Sequence, residues 1–254
     1  MAPRSPKTIA VAFLLLLLAS ACAHGASSRD KETAVVHADL GAEAIRGGRS
    51  QEALKSYDEA LKLDPDLAEA HMGRGVVLEL AFGRLDEAEA EYRKAILLKP
   101  GLAEAHNNLG QLLAKTGRLE EAVKEFDTAA SIMMYREPWV ARCNKGQALW
   151  RMGKKEEGIA EMKACLNFQP RYCQGWRELG RLQLLDNQAK DAVTSFEQYA
   201  RNCDKAADAQ QLLGGALLRT GQAGRARDAF QRCAELAEGT PLGDDCKKSG
   251  EQLR

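Results

Sequence analysis

The sequence has no excess of either charge, with 36 Lys and Arg against 36 Asp and Glu. It therefore lacks the basic surplus that nucleic acid or an anionic lipid surface selects. No Cys-x-x-Cys occurs, and no His and Cys stand at zinc spacing, so redox-motif and structural-zinc readings are excluded. A phosphate-binding loop, a dinucleotide fingerprint and a nucleophile motif are also missing. These absences leave no candidate catalytic residue, metal ligand or cofactor, and a non-enzymatic protein is expected. The long apolar run, Ile9 to Ala19, falls short of the roughly 20 residues that a membrane-spanning helix needs.

What is present is a repeat. Glycines recur at Gly41, Gly75, Gly110, Gly146, Gly180 and Gly214, spaced by 34, 35, 36, 34 and 34 residues. A small residue follows in each unit, at Ala53, Ala88, Ala122, Gly158, Ala192 and Ala226. Four residues after it, as a rule, stands a large apolar one: Tyr57, Tyr92, Phe126, Met162, Phe196 or Phe230. The glycine lets two helices cross closely, the small residue serves the same end from the second helix, and the large side chain fills the gap between them. A mid-unit glycine at Gly48, Gly83, Gly117, Gly153 and Gly221 suits a left-handed helix cap. Pro65, Pro100 and Pro170 close three units. A period near 34 with this grammar resembles the tetratricopeptide repeat (TPR), a helix–turn–helix unit that stacks into a solenoid. The expected fold is all-α: a right-handed superhelical solenoid of about six repeats over residues 34–238, with a capping helix over 239–254. Thr240 and Pro241 read as its N-cap and first residue. Unit four departs from the pattern, with a longer lead-in from Ser131 to Pro138, Gly158 for alanine and Met162 for the aromatic. A looser joint is expected there.

The N-terminus reads as an export signal. Arg4 and Lys7 precede the apolar run, which ends in Leu18-Ala19-Ser20-Ala21-Cys22. This string resembles the bacterial lipobox, which implies cleavage after residue 21, lipidation of Cys22, and no membrane contact other than that lipid. Ala23 stands where an aspartate would imply inner-membrane retention, so the inner leaflet of the outer membrane is expected. Residues 22–33 read as the lipidated cysteine and a flexible tether. Loss of residues 1–21 removes Arg4 and Lys7 and leaves 34 basic against 36 acidic residues, a net charge of −2.

Six cysteines remain: Cys143, Cys165, Cys173, Cys203, Cys233 and Cys246. Exported proteins permit disulfides, and six cysteines allow about 15 pairings. With the first glycine of each repeat set at position 8, residues of equal height on the two antiparallel helices have position numbers summing to about 32. Cys143 and Cys165 satisfy this in unit four, and Cys173 with Cys203 in unit five. Cys233 and Cys246 remain to join unit six to the cap. Equal height is necessary but not sufficient, and Cys165–Cys173 is the competing pair.

His37, His71 and His106 occupy the fourth position of units one to three and read as aromatic fillers between helices. A line of metal ligands is excluded, because packed helices lie about 8–10 Å apart and zinc bonds are near 2 Å. In TPR arrays the first helices line the concave face. The corresponding partner-binding residues are Asn107, Asn108, Gln111 and Lys115 in unit three. Unit four supplies Asn144, Gln147, Trp150 and Arg151, and unit five Arg177 and Arg181. Amides could bond a peptide backbone, arginines its carboxylates, and Trp150 could anchor an apolar side chain.

The strings Cys143-Asn144-Lys145-Gly146, Cys165-Leu166-Asn167-Phe168-Gln169-Pro170 and Tyr172-Cys173-Gln174-Gly175-Trp176-Arg177-Glu178-Leu179-Gly180 carry a narrower resemblance. With the lipobox and six repeats, the chain resembles the type IV pilus pilotins (the PilF and PilW outer-membrane TPR lipoproteins), and among them the social-motility lipoprotein Tgl. The resemblance implies a monomer that binds protomers of the pilus secretin and promotes their assembly into the multimeric pore. The rival expectation is an envelope scaffold that tethers peptidoglycan synthases or hydrolases.

Overall fold

The computed structural model describes residues 26–253. The signal segment and Cys22 lie outside the described residues. Those described form thirteen α-helices and no strand. The described residues fall into two compact units, divided between Ala105 and His106.

The first unit holds two helical hairpins, α1 (Ser28–Arg46) with α2 (Ser50–Leu63) and α3 (Ala68–Leu80) with α4 (Leu85–Leu98). Helix α1 starts inside the segment expected to be a tether. The reason is local: the Ser27 hydroxyl accepts from the Asp30 amide, and the Asp30 carboxylate accepts from the Ser27 amide. This capping box satisfies two otherwise orphaned donors and starts the helix early. Helix α1 packs on α2 and α3. The core between them is mostly alanine: Ala34, Ala38, Ala44, Ala53, Ala60 and Ala70 cluster with Tyr57 and Val77.

The second unit continues the same grammar. Its hairpins pair α5 (Ala103–Lys115) with α6 (Leu119–Ser131), α7 (Pro138–Arg151) with α8 (Lys155–Phe168), α9 (Cys173–Leu185) with α10 (Ala189–Asn202), and α11 (Ala207–Arg219) with α12 (Ala223–Leu236). The last helix, α13 (Pro241–Glu251), packs on α12 and α11. Thr240 caps it, its hydroxyl accepting from the Gly243 amide at 3.2 Å, and Pro241 takes the first turn.

The large side chain of each repeat lies where the glycine of the first helix has no Cβ. A Cβ on Gly110 would stand 2.7 Å from the Phe126 ring, and one on Gly180 would stand 2.5 Å from Phe196. The glycine thus makes room for the ring as well as for the neighbouring helix. The hairpin turns are also set by backbone chemistry. Gly117, Gly153 and Gly221 hold φ of 86°, 85° and 76°, and the next amide returns to a carbonyl five residues back, as in Arg118 N–H to Leu113. This closes each first helix with a Schellman-type cap. In repeat five the slot is filled by Asn187 at φ 57°, since asparagine tolerates the left-handed region better than other L-residues.

Within its hairpin, repeat four is packed closely. With glycine at 158 and flexible Met162 in place of a ring, the two backbones close on each other. A Cβ on Gly158 would meet the Gly146 carbonyl at 2.5 Å and the Trp150 amide nitrogen at 2.8 Å. The longer lead-in does appear, as residues 132–137 between α6 and α7, with Met133 and Met134 exposed.

Gly158→Ala restores the residue found at this position in the other repeats, yet it should destabilise the protein. The new methyl meets backbone that cannot rotate away, an overpacking cost of about 1–3 kcal/mol. Thermal unfolding checks this; an unchanged or raised Tm would contradict the close backbone approach.

Candidate functional site

The first helices of repeats three to five bring the expected partner-binding residues onto neighbouring elements of one unit, but several are already engaged. Asn107 is buried, and its side-chain oxygen accepts from Asn144 Nδ2 at 3.0 Å. This bond ties α5 to α7. Arg151 donates from Nη1 to the Ala114 carbonyl at 2.7 Å, where the negative end of the α5 dipole favours a cation. Arg177 pairs with Asp208 at 3.5 Å, and Arg181 with Glu178 at 3.6 Å. Trp150 is only partly accessible and packs on the Cys143–Met162 core, with Lys155 Nζ 5.6 Å from its ring centroid. Its indole Nε1 is buried without a hydrogen-bond partner among the described residues. Of the ten, Gln111 and Lys115 are exposed polar groups, and Asn108 and Gln147 are half-buried. Much of the stripe is therefore spent on fixing one repeat against the next.

The six cysteines come together in pairs. The sulfurs of Cys143 and Cys165 are 2.07 Å apart, with Cα atoms 5.6 Å apart. Cys173 and Cys203 have Cα atoms 6.0 Å apart, and Cys233 and Cys246 5.9 Å. These separations lie within the usual disulfide range. The first two pairs join the helices of one hairpin each, and the third joins α12 to α13. Cys143 and Cys165 are fully buried among Met162, Leu166 and Leu179.

His71 and His106 are not mere fillers. His71 Nδ1 faces Glu91 Oε2 at 2.6 Å, and His106 Nδ1 faces Glu125 Oε2 at 2.6 Å. Both acids lie on the second helix of the same repeat, 20 and 19 residues further on. That recurrent spacing was the available sequence signal. Repeat one has Ser56 and Tyr57 at the corresponding positions.

A second concave feature lies away from the first-helix stripe. A groove of about 490 Å³ runs between α8, α9 and α10. Trp176 contributes apolar surface over the buried Leu166 and Leu179, while Lys163 and Asp191 contribute charge of opposite sign. Trp176 is oriented by its indole N–H, which donates to the Pro170 carbonyl at 2.7 Å. Sequence reasoning placed binding on first helices alone and so missed it. Among the described residues no group of three His, Cys, Asp or Glu could hold a metal ion. No helix among them is long and apolar enough to cross a membrane.

Residues 39–103, 79–132 and 141–172 match models of the tetratricopeptide repeat. With the paired helices and glycine-seated rings, these matches show tetratricopeptide repeats stacked as a solenoid. Among solved structures the chain is similar to PilW, a type IV pilus biogenesis factor, with 27% identity and a TM-score of 0.73 over 84% of this chain and 97% of that one. It is also similar in fold to PilF of Pseudomonas aeruginosa, with 21% identity and a TM-score of 0.70 over 87% of this chain and 99% of that one. A further likeness of fold is to YrrB, a TPR protein with an unusual peptide-binding site, at 16% identity and a TM-score of 0.52 over 77% of this chain and all of that one. No curated protein sequence matches.

Peptide mapping without reduction should recover Cys143–Cys165, Cys173–Cys203 and Cys233–Cys246. Replacing Cys143 and Cys165 together by serine should lower stability by roughly 2–4 kcal/mol, read as a lower denaturation midpoint. A Cys165–Cys173 peptide would contradict the pairing, and an unchanged midpoint would remove its structural role.

Proposed function

We propose that this chain is a pilotin-like lipoprotein. Acylated at Cys22 and held at the periplasmic face of the outer membrane, it binds protomers of the type IV pilus secretin and promotes their assembly. The likeness to PilW carries this reading, because it extends over 84% of this chain and nearly all of the other at 27% identity. The lipobox string ending in Cys22 supports the anchor.

The mechanism needs no catalysis. A lipid anchor confines the array to one membrane face, and each captured protomer then meets the membrane and other protomers at raised effective concentration. Repeats three to five offer Gln111, Asn108 and Gln147 on their first helices, flanked by arginines whose ion pairs with Asp208 and Glu178 could exchange for carboxylates of a partner. Exposed ion pairs of this kind contribute only about 0–1 kcal/mol, so such exchange costs little. The disulfide pairs would hold repeats four to six rigid in an oxidising compartment.

Deletion of the gene should abolish SDS-resistant secretin multimers while secretin monomer persists, and a Cys22→Ala copy should fail to restore them. Unchanged multimers would refute the assembly role and favour a scaffold for cell-wall enzymes. Full restoration by Cys22→Ala would refute the need for the anchor.

A further inference from the structure

We infer that His71 is a doubly protonated clasp joining the turn after repeat one to the hairpin of repeat two, and that raising the pH releases it. Both ring nitrogens face oxygens that can only accept. Nδ1 lies 2.6 Å from the Glu91 carboxylate and Nε2 lies 2.9 Å from the Pro65 carbonyl. A neutral imidazole has one N–H and one lone pair, so it can satisfy only one of these oxygens and turns a lone pair toward the other. The imidazolium satisfies both. Pro65 belongs to the turn between α2 and α3, while Glu91 lies on α4. The ring thus spans three segments of the first unit.

The surroundings support the charged form. Glu91 also accepts from Arg74 Nη1 at 2.5 Å, and Arg74 Nε donates to Asp58 on α2 at 2.7 Å. Lys94 on α4 is the opposing cation, itself 3.9 Å from Asp66 in the turn. His71 and Glu91 side chains are 13% and 17% exposed, so water competes weakly. Burial pulls the His71 pKa down, but the bonds to Glu91 and the Pro65 carbonyl outweigh it and hold the pKa above the ordinary histidine value. Burial pushes Glu91 up, but His71 and Arg74 bring it below the usual carboxylate value.

The signs define a window. A raised His71 pKa gives a contribution that is complete below about 6.5, the ordinary value, and is lost as pH rises through the folded-state pKa. The depressed Glu91 pKa gives one complete above about 4.3 and lost as pH falls through its own folded-state pKa. The clasp is therefore closed in mildly acidic solution and opens as pH rises through the folded-state His71 pKa. This inference does not depend on the pilus reading, because it concerns only how repeats one and two are joined.

The test uses the full lipidated chain in detergent, with 15N-labelled histidine. The chain has four histidines, and the spectrum of His71→Gln identifies the one in question. At pH 6 both His71 nitrogens should be protonated, and the ring should titrate above the ordinary value. Glu91→Gln should move that titration down. Amide protection of residues 64–71, corrected for intrinsic exchange, should fall roughly two- to tenfold from pH 6 to pH 9, the worth of one hydrogen bond. His71→Gln should flatten that dependence. A neutral His71 tautomer at pH 6, or the same loss of protection in His71→Gln, would overturn the clasp.

Discussion

A large side chain seated where a helix glycine has no Cβ is the contact on which each repeat depends. Burying a phenylalanine or leucine-sized group contributes about 1.5–3 kcal/mol, whereas a glycine inside a helix costs about 0.5–1 kcal/mol relative to alanine. The exchange is favourable only if the ring reaches the vacancy, as Phe126 does at Gly110 and Phe196 at Gly180. Tyr57 shows the next step, because its ring lies against both Gly41 and Gly73, one in each of the first two repeats. The wedge that closes a hairpin thus also sets the next hairpin against it, which is how neighbour contacts make an array stable when single repeats are not.

Repeat four shows the constraint from the other side. Without a ring, the vacancy at Gly146 is shared by the Met162 side chain and the Gly158 carbonyl, which a Cβ there would meet at 2.6 and 2.7 Å. The buried Cys143 and Cys165 pair lies in the same hairpin. A hairpin that has lost its aromatic is therefore held by closer approach and a covalent link. The two units of the chain also differ in how they are fastened. The described cysteines all lie in the second, whereas the first relies on the Asp58, Arg74, Glu91 and His71 network at the joint of its repeats.

The glycines, the rings and the height of the cysteines were legible in the sequence because they follow from helix rise and repeat length alone. Other features depend on competition between neighbours. The early start of α1 came from an aspartate, rather than a glutamate or glutamine, closing the capping box with Ser27. Asn187 took a turn position where the pattern expected glycine. The polar stripe was read as free because spacing tells which face a residue occupies, not which partner it finds. Asn107 found Asn144, Arg177 found Asp208, and the Trp150 ring turned into the core. His71 and His106 were read as fillers, since the acids they pair with lie on another helix.

The chain's proposed work rests on one physical act, the capture of secretin protomers by a rigid array held at a membrane face. The most direct measurement is the binding of the lipidated, oxidised chain in detergent to monomeric secretin from the same cell, by titration calorimetry. Saturable binding that weakens when Gln111 and Gln147 are replaced by alanine is the predicted result. No binding between folded partners, in the presence or absence of reductant, would contradict the account.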